Sequence, residues 1–185
     1  MAKTPSTMLP LGTYAPQFSL LDTVSGSTVS LNSSPESKAT VIMFICNHCP
    51  YVRHINKELT RLANDYMKLG INFIAINSND VETYPDDSPE NMKKTATEHN
   101  YPFPYLYDET QEVAKAYQAA CTPDFYVFDS NFALVYRGQL DDSRPGNTIA
   151  VTGSSIRNAL DSILANEPVN VVQKPSLGCN IKWKS

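Results

Sequence analysis

The sequence predicts an α/β fold: a central mixed β-sheet with helices on both faces, built as one domain over residues 1–185. Three observations predict it. An unbroken apolar run (41–45) and a second buried strand (72–77, Asn-Phe-Ile-Ala-Ile-Asn) are each followed by an amphipathic helical pattern or a capped helix start, the order expected of a covered, largely parallel sheet. Two further apolar runs, 125–129 and 133–137, are joined only by a tight turn around Ser130-Asn131, so part of the sheet is antiparallel. The chain has 185 residues, 42% hydrophobic and 18% charged, enough for one full core.

Taken in order, residues 1–11 read as a loose arm carrying Pro5 and Pro10. Residues 12–31 read as a hairpin, with Phe18, Leu20, Val29 and Leu31 apolar and Ser25-Gly26-Ser27 as its turn. A polar loop over 32–38 leads to a buried strand at 40–45. Val52, Ile55, Leu59, Leu62, Tyr66 and Leu69 recur at helical spacing, and Gly70 reads as the C′ stop. A second buried strand covers 72–77. Ser88 caps a helix that begins at Pro89 and runs to about His99. Then come a short strand at 105–107, a helix at 109–120, the 125–137 hairpin, a loop at 138–153 and a last helix at 154–165. The tail, 169–185, reads as irregular but packed on the body, because it carries the only Trp, Trp183.

Composition excludes several classes of function. A net charge of −4 provides no basic face for nucleic acid. No apolar run approaches the roughly 20 residues of a membrane span, and the first residues lack the apolar stretch of a secretory signal. A cytoplasmic location is therefore expected. Four cysteines are too few for a disulfide-stapled scaffold of this length.

The chemistry is concentrated in Cys46-Asn47-His48-Cys49. A Cys-x-x-Cys between a buried strand and a helix places the first thiol at a helix N-terminus. Backbone N–H groups and the helix dipole favour a thiolate there. Cys46, at the helix start where it can be exposed, is the expected nucleophile, and Cys49, shielded in the first turn, the resolving thiol: attack by Cys46 forms a mixed disulfide, which Cys49 cleaves. His48, when protonated, is expected to stabilise the Cys46 thiolate. Thr122-Pro123, at the entrance of strand 125–129, is the second informative site, because an X-Pro bond there can be cis. Arg144, in the polar loop 141–147, is expected to hold the thiolate or a substrate carboxylate if that loop folds toward Cys46. Cys121 and Cys179 are candidate additional redox thiols, against the alternative of buried structural thiols.

These motifs resemble the thioredoxin-fold redoxins, the superfamily of thioredoxin-like oxidoreductases and the AhpC/TSA group. The resemblance covers nearly the whole chain: Gly12-x-x-Ala15-Pro16-x-Phe18-x-Leu20-x-Asp22 for the N-terminal hairpin, Cys-x-x-Cys-Pro for the active-site unit, and Ala120-Cys121-Thr122-Pro123-Asp124-Phe125 for the facing loop. The resemblance implies that Pro123 is cis and that Thr122 offers backbone hydrogen bonds to an incoming chain. It implies a thiol–disulfide oxidoreductase without cofactor or metal. Protein or small-molecule disulfides, or peroxides, are the substrates, and a dithiol such as a thioredoxin or glutathione system is the electron donor.

The departures are specific. Ile45 stands where thioredoxins have Trp, and Thr40 where they have a buried Asp, so another group must accept the proton. Met43 stands where peroxiredoxins have a Thr or Ser that orients peroxide, and Met cannot donate a hydrogen bond. A thiol peroxidase using Cys46 is thus the alternative enzyme. The alternative of another class is a copper or zinc carrier using Cys46, His48, Cys49 and His54.

Overall fold

A computed structural model describes residues 3–31 and 37–185. The polar loop expected over 32–38 falls largely on 32–36, outside the described residues. The first strands are β1 (Lys3–Pro5), β2 (Ser19–Asp22) and β3 (Thr28–Ser30). Strand β4 (Ala39–Phe44), helix α1 (Pro50–Met67) and strand β5 (Ile71–Asn77) follow. After a single 3-10 turn at Pro85–Asp87 come α2 (Pro89–Glu98), β6 (Tyr105–Tyr107), α3 (Glu112–Ala116) and β7 (Cys121–Thr122). The chain finishes with β8 (Asp124–Asp129), β9 (Leu134–Gly138), α4 (Ser154–Leu164) and β10 (Leu177–Asn180).

A seven-stranded mixed sheet runs β3-β2-β6-β5-β4-β8-β9. Its centre is β4, parallel to β5 and antiparallel to β8. Every residue of β4 is buried, as expected of a strand covered on both faces. Its side chains alternate between two cores. Val41, Met43 and Ile45 pack with Leu59 and Leu62 of α1 and Ile156 and Leu160 of α4. Ile42 and Phe44 pack on the other side with Tyr117, Tyr126 and Phe128. The peroxide-orienting position is therefore a core residue here, Met43.

Helix α1 buries Val52, Ile55, Leu59, Leu62 and Tyr66, five of the positions its periodicity marks. The sixth, Leu69, lies beyond the helix end and is exposed. Gly70 stands two residues past the C-cap Lys68, with φ +89°, rather than at C′. Ser88 caps α2 by accepting the Asn91 N–H at 3.4 Å. Helix α3 is shorter than the expected 109–120. The carboxylate of Asp108 takes the N–H groups of Val113 and Ala114, Gln111 is left-handed at φ 64°, and Gln118 turns the chain out at φ 50°.

The two ends of the chain correct the sequence reading most. The arm and the tail, both expected to be irregular, form a second sheet in the order β1-β10-β7. Strand β10 pairs antiparallel with β1 on one side and with β7 on the other. Neither end shows apolar alternation, because both strands are held by backbone partners far away in sequence. The tail anchors through Cys179 and Ile181, both buried, while Trp183 stays exposed. Gly178 is required at its position: a Cβ there would lie 2.0 Å from the backbone oxygen of Thr122. Gly178→Ala is expected to prise β10 from β7, at a cost of roughly 1–3 kcal/mol. Hydrogen exchange should show lost protection at Cys179 and Asn180, and unchanged protection there would contradict the close approach. Among the described residues, no helix is long and apolar enough to cross a membrane.

Candidate active site

The chain leaves β4, makes one more sheet contact from Ile45 N–H to the Ile76 carbonyl, and turns through Cys46-Asn47-His48 into α1. Cys49 is the N-cap residue and Pro50 the first helical residue, where a missing N–H costs nothing. The turn is latched from outside. Asn47 donates its backbone N–H to Asp87 (2.7 Å) and its side-chain amide to the Asp86 carbonyl (2.8 Å). The Tyr105 hydroxyl donates to the Asn47 side chain (3.1 Å), and Arg53 Nε to the Asn47 carbonyl (2.9 Å).

Asp87 is the residue the sequence reading missed. It is fully buried in the 3-10 turn and accepts from the backbone N–H groups of Asn47 and His48, from Asn79 Nδ2 at 2.7 Å and from His48 Nδ1 at 2.6 Å. Burial pushes its carboxyl upward. The His48 and Asn79 donors and the adjoining backbone outweigh that and hold it below the ordinary carboxylate value. His48 also stacks on Tyr84, with ring centroids 5.3 Å apart. Its imidazole is thus held by Asp87 through Nδ1. A ring nitrogen of His48, an Asp87 carboxylate oxygen and Cys46 Sγ lie within 4.8 Å of one another.

The sign of the Asp87 shift sets a prediction. A carboxyl whose folded value lies below its unfolded value, about 3.9, adds stability that is present above that pH and lost as pH falls through the folded value. Asp87→Asn is expected to flatten the stability loss below about pH 4. It should also cost roughly 1.5–3 kcal/mol near neutrality through weakened charge-assisted hydrogen bonds. Thermal melts from acid to neutral pH read both, and an unchanged acid limb would contradict the assignment.

Three sulfurs meet opposite the Thr122–Pro123 bond, which is cis. Cys46 Sγ lies 3.2 Å from Thr122 Oγ1. Cys49 Sγ lies 3.2 Å from the Thr122 carbonyl oxygen and 2.7 Å from Cys179 Sγ. All three thiols are free, and all are buried, whereas the sequence suggested an exposed Cys46. The charge is also placed differently. Burial pushes the Cys46 thiol well up, reinforced by Cys49 and the Asp87 carboxylate and opposed by the Thr122 hydroxyl. Cys49 is pulled down to about 5 by the neighbouring Cys46 and Cys179 thiols, against the effect of burial. Burial and the Cys49 sulfur push Cys179 up to about 12. The lowered thiol is thus the N-cap Cys49 rather than Cys46, with the Val52 backbone N–H among the lesser groups that favour its anion.

The remaining expectations separate clearly. Cys121 is buried, its thiol pushed upward by burial and by Asp124, and its sulfur contacts the Pro123 carbonyl rather than another thiol. Thr122 does not present a free edge to an incoming chain: it is paired in register with Cys179 of β10. Arg144 does not reach the sulfurs. Its guanidinium donates to the Asp141 and Ser143 carbonyls and to Gln139 Oε1, bracing its own loop beside Pro123 and Leu177. His54 bonds to Ser143 at 2.7 Å, so the cluster of Cys46, His48, Cys49 and His54 weighed for a metal carrier does not form. Sequence contained one hint of Asp87, its place just before the Ser88-Pro89 helix start, but nothing in that spacing connects it to Cys46 forty-one residues earlier.

Among solved structures, an uncharacterized conserved protein from Geobacillus kaustophilus matches at 65% identity and TM-score 0.97, covering 100% of this chain and 97% of that one. A hypothetical protein from Sinorhizobium meliloti 1021 matches at 44% identity and TM-score 0.96, covering 98% and 99%. The thioredoxin domain of a thiol-disulfide oxidoreductase from Bacteroides vulgatus matches at 20% identity and TM-score 0.60, over 74% of this chain and 91% of that one, a likeness of fold. No curated protein gives a significant match. Residues 11–137 match the family described as AhpC/TSA, more than half of the chain. With a cis-Pro loop facing a Cys-x-x-Cys at a helix start and a thioredoxin-like sheet behind it, the chain is a thioredoxin-fold redoxin and belongs to the AhpC/TSA family.

Proposed function

We propose that this redoxin is a thiol–disulfide oxidoreductase whose Cys46 and Cys49 cycle between dithiol and disulfide. The observation that carries the reading is the placement of both thiols at the start of α1 against the cis-Pro loop, with Cys46 Sγ 3.2 Å from Thr122 Oγ1 and Cys49 Sγ 3.2 Å from the Thr122 carbonyl oxygen. Loss of the Cys46 thiol proton makes Cys46 the nucleophile. Its thiolate attacks a substrate disulfide, forming a mixed disulfide and releasing one substrate thiolate. Cys49, as a thiolate, then attacks Cys46 Sγ, releasing the second thiolate. The substrate gains two electrons and the chain holds a Cys46–Cys49 disulfide, which a dithiol donor of the thioredoxin or glutathione type reduces again. The Asp87–His48 pair stands where it can take up and return the proton, the role left open by Thr40. The Thr122 hydroxyl steadies the Cys46 sulfur.

Disulfide mapping by mass spectrometry across a glutathione potential series tests this. A Cys46–Cys49 disulfide should appear and vanish in one two-electron transition, about 30 mV per decade. Its absence at every potential would sink the reading.

A further inference from the structure

We propose that β10 is a built-in substrate strand and that Cys179 is a third redox thiol, exchanging with Cys49. The proposal rests on the dithiol reading above and extends it. A chain that adds to an exposed strand edge binds through its backbone, and alternate side chains then enter the site. Here β7, the strand that ends at the cis-Pro bond, already has such a partner: Cys179 lies opposite Thr122 and Asn180 opposite Cys121. The partner is well secured. Ser176 Oγ donates to the Pro123 carbonyl at 2.7 Å, Ile181 N–H to the Ala120 carbonyl at 3.2 Å, and Lys182 N–H to Asn79 Oδ1 at 2.8 Å. Gly178 allows the backbones to approach at a distance that no side chain would tolerate. The thiol delivered by this pairing sits 2.7 Å from Cys49 Sγ, while a disulfide bond is about 2.05 Å long. Little backbone motion separates contact from bond.

The exchange balances without an outside reagent. In the Cys46–Cys49 disulfide, the Cys179 thiol loses its proton and attacks Cys49 Sγ. The Cys49–Cys179 bond forms, the Cys46–Cys49 bond breaks, and Cys46 leaves as a thiolate that takes up the proton. The oxidising equivalents then reside on the tail, and Cys46 is free to meet another disulfide. Cys49, central to all three thiols, belongs to both bonds and can hold only one at a time. A protein chain that adds to β7 must first displace β10.

Peptide mapping after oxidation with glutathione disulfide, on the wild type and on Cys46→Ser and Cys179→Ser, tests the relay. The wild type is expected to yield both the Cys46–Cys49 and the Cys49–Cys179 disulfides. Cys46→Ser should yield Cys49–Cys179 alone, with the loss of two free thiols per chain. A Cys49–Cys179 bond absent from both proteins, or Cys49 and Cys179 carrying only separate glutathione adducts, overturns the relay. Cys179→Ser keeps the two failures apart. If it still forms Cys46–Cys49, the oxidoreductase reading stands without the relay. If neither it nor the wild type forms that bond, the underlying reading fails as well.

Discussion

Reduced protein at neutral pH is expected to carry one thiolate per chain, and Cys49→Ser is expected to remove it. Cys49 is the N-cap residue of α1 and lies beside the Cys46 and Cys179 thiols, which together pull it to about 5. The same contacts and burial push its two neighbours up, so the cluster of three thiols shares a single negative charge over a wide pH range. Thiolate absorbance near 240 nm should therefore titrate with a midpoint close to 5, persist through neutrality, and vanish in Cys49→Ser while surviving in Cys121→Ser. Stability follows the same sign. The folded value of Cys49 lies below the unfolded value of about 8.5, so its contribution grows as pH rises from about 5 toward 8.5 and is lost as pH falls through 5. Above that range the raised Cys46 and Cys179 act in the opposite sense. A thiolate signal that instead disappears in Cys46→Ser and persists in Cys49→Ser would reverse the assignment. Because both disulfides need Cys49, its replacement should also abolish intramolecular disulfide formation altogether, the largest loss expected of any single substitution in the cluster.

The parts of this site that were legible in sequence are those fixed by local pattern. An unbroken apolar strand, a Cys-x-x-Cys and a helical stripe are contiguous, so their order alone places two thiols at a helix start. Thr122-Pro123 before a strand could be recognised for the same reason. What local pattern could not show is which distant residues close the site. Asp87 reaches Asn47 and His48 from a turn in another segment, and its neighbour Ser88 reads only as a helix beginning. Cys179 reaches Cys49 because β10 is held by two backbone partners, β1 and β7, with no alternation of its own to announce a strand. The exposure of Cys46 and the role of Arg144 were misjudged on the same ground. Whether a thiol is covered, or a guanidinium already spent on its own loop, depends on tertiary contacts that residue spacing does not record.

Arg137→Met is expected to destabilise the fold by about 3–5 kcal/mol, because it strands a buried carboxylate. Arg137 and Asp124 are both fully buried. The guanidinium grips Asp124 with both terminal nitrogens, with the second at 2.8 Å, and lies 3.9 Å over the ring of Tyr126. Asp124 follows the cis-Pro directly and also accepts the Ala120 N–H at 3.3 Å. The pair therefore ties β9 to both sides of the loop that faces the sulfurs. Replacing one partner leaves the other desolvated and unpaired, whereas replacing both with apolar residues of similar volume can be close to neutral. Urea unfolding of Arg137→Met, Asp124→Leu and the double variant separates these cases. The double variant is expected to lose clearly less than the sum of the single losses, a coupling expected of residues in direct contact. A single-variant cost below about 1 kcal/mol would mean that water or another group compensates the charge. If the double variant recovers stability yet forms the Cys46–Cys49 disulfide more slowly, the ion pair's contribution lies in holding the cis-Pro loop against the thiols rather than in net folding energy.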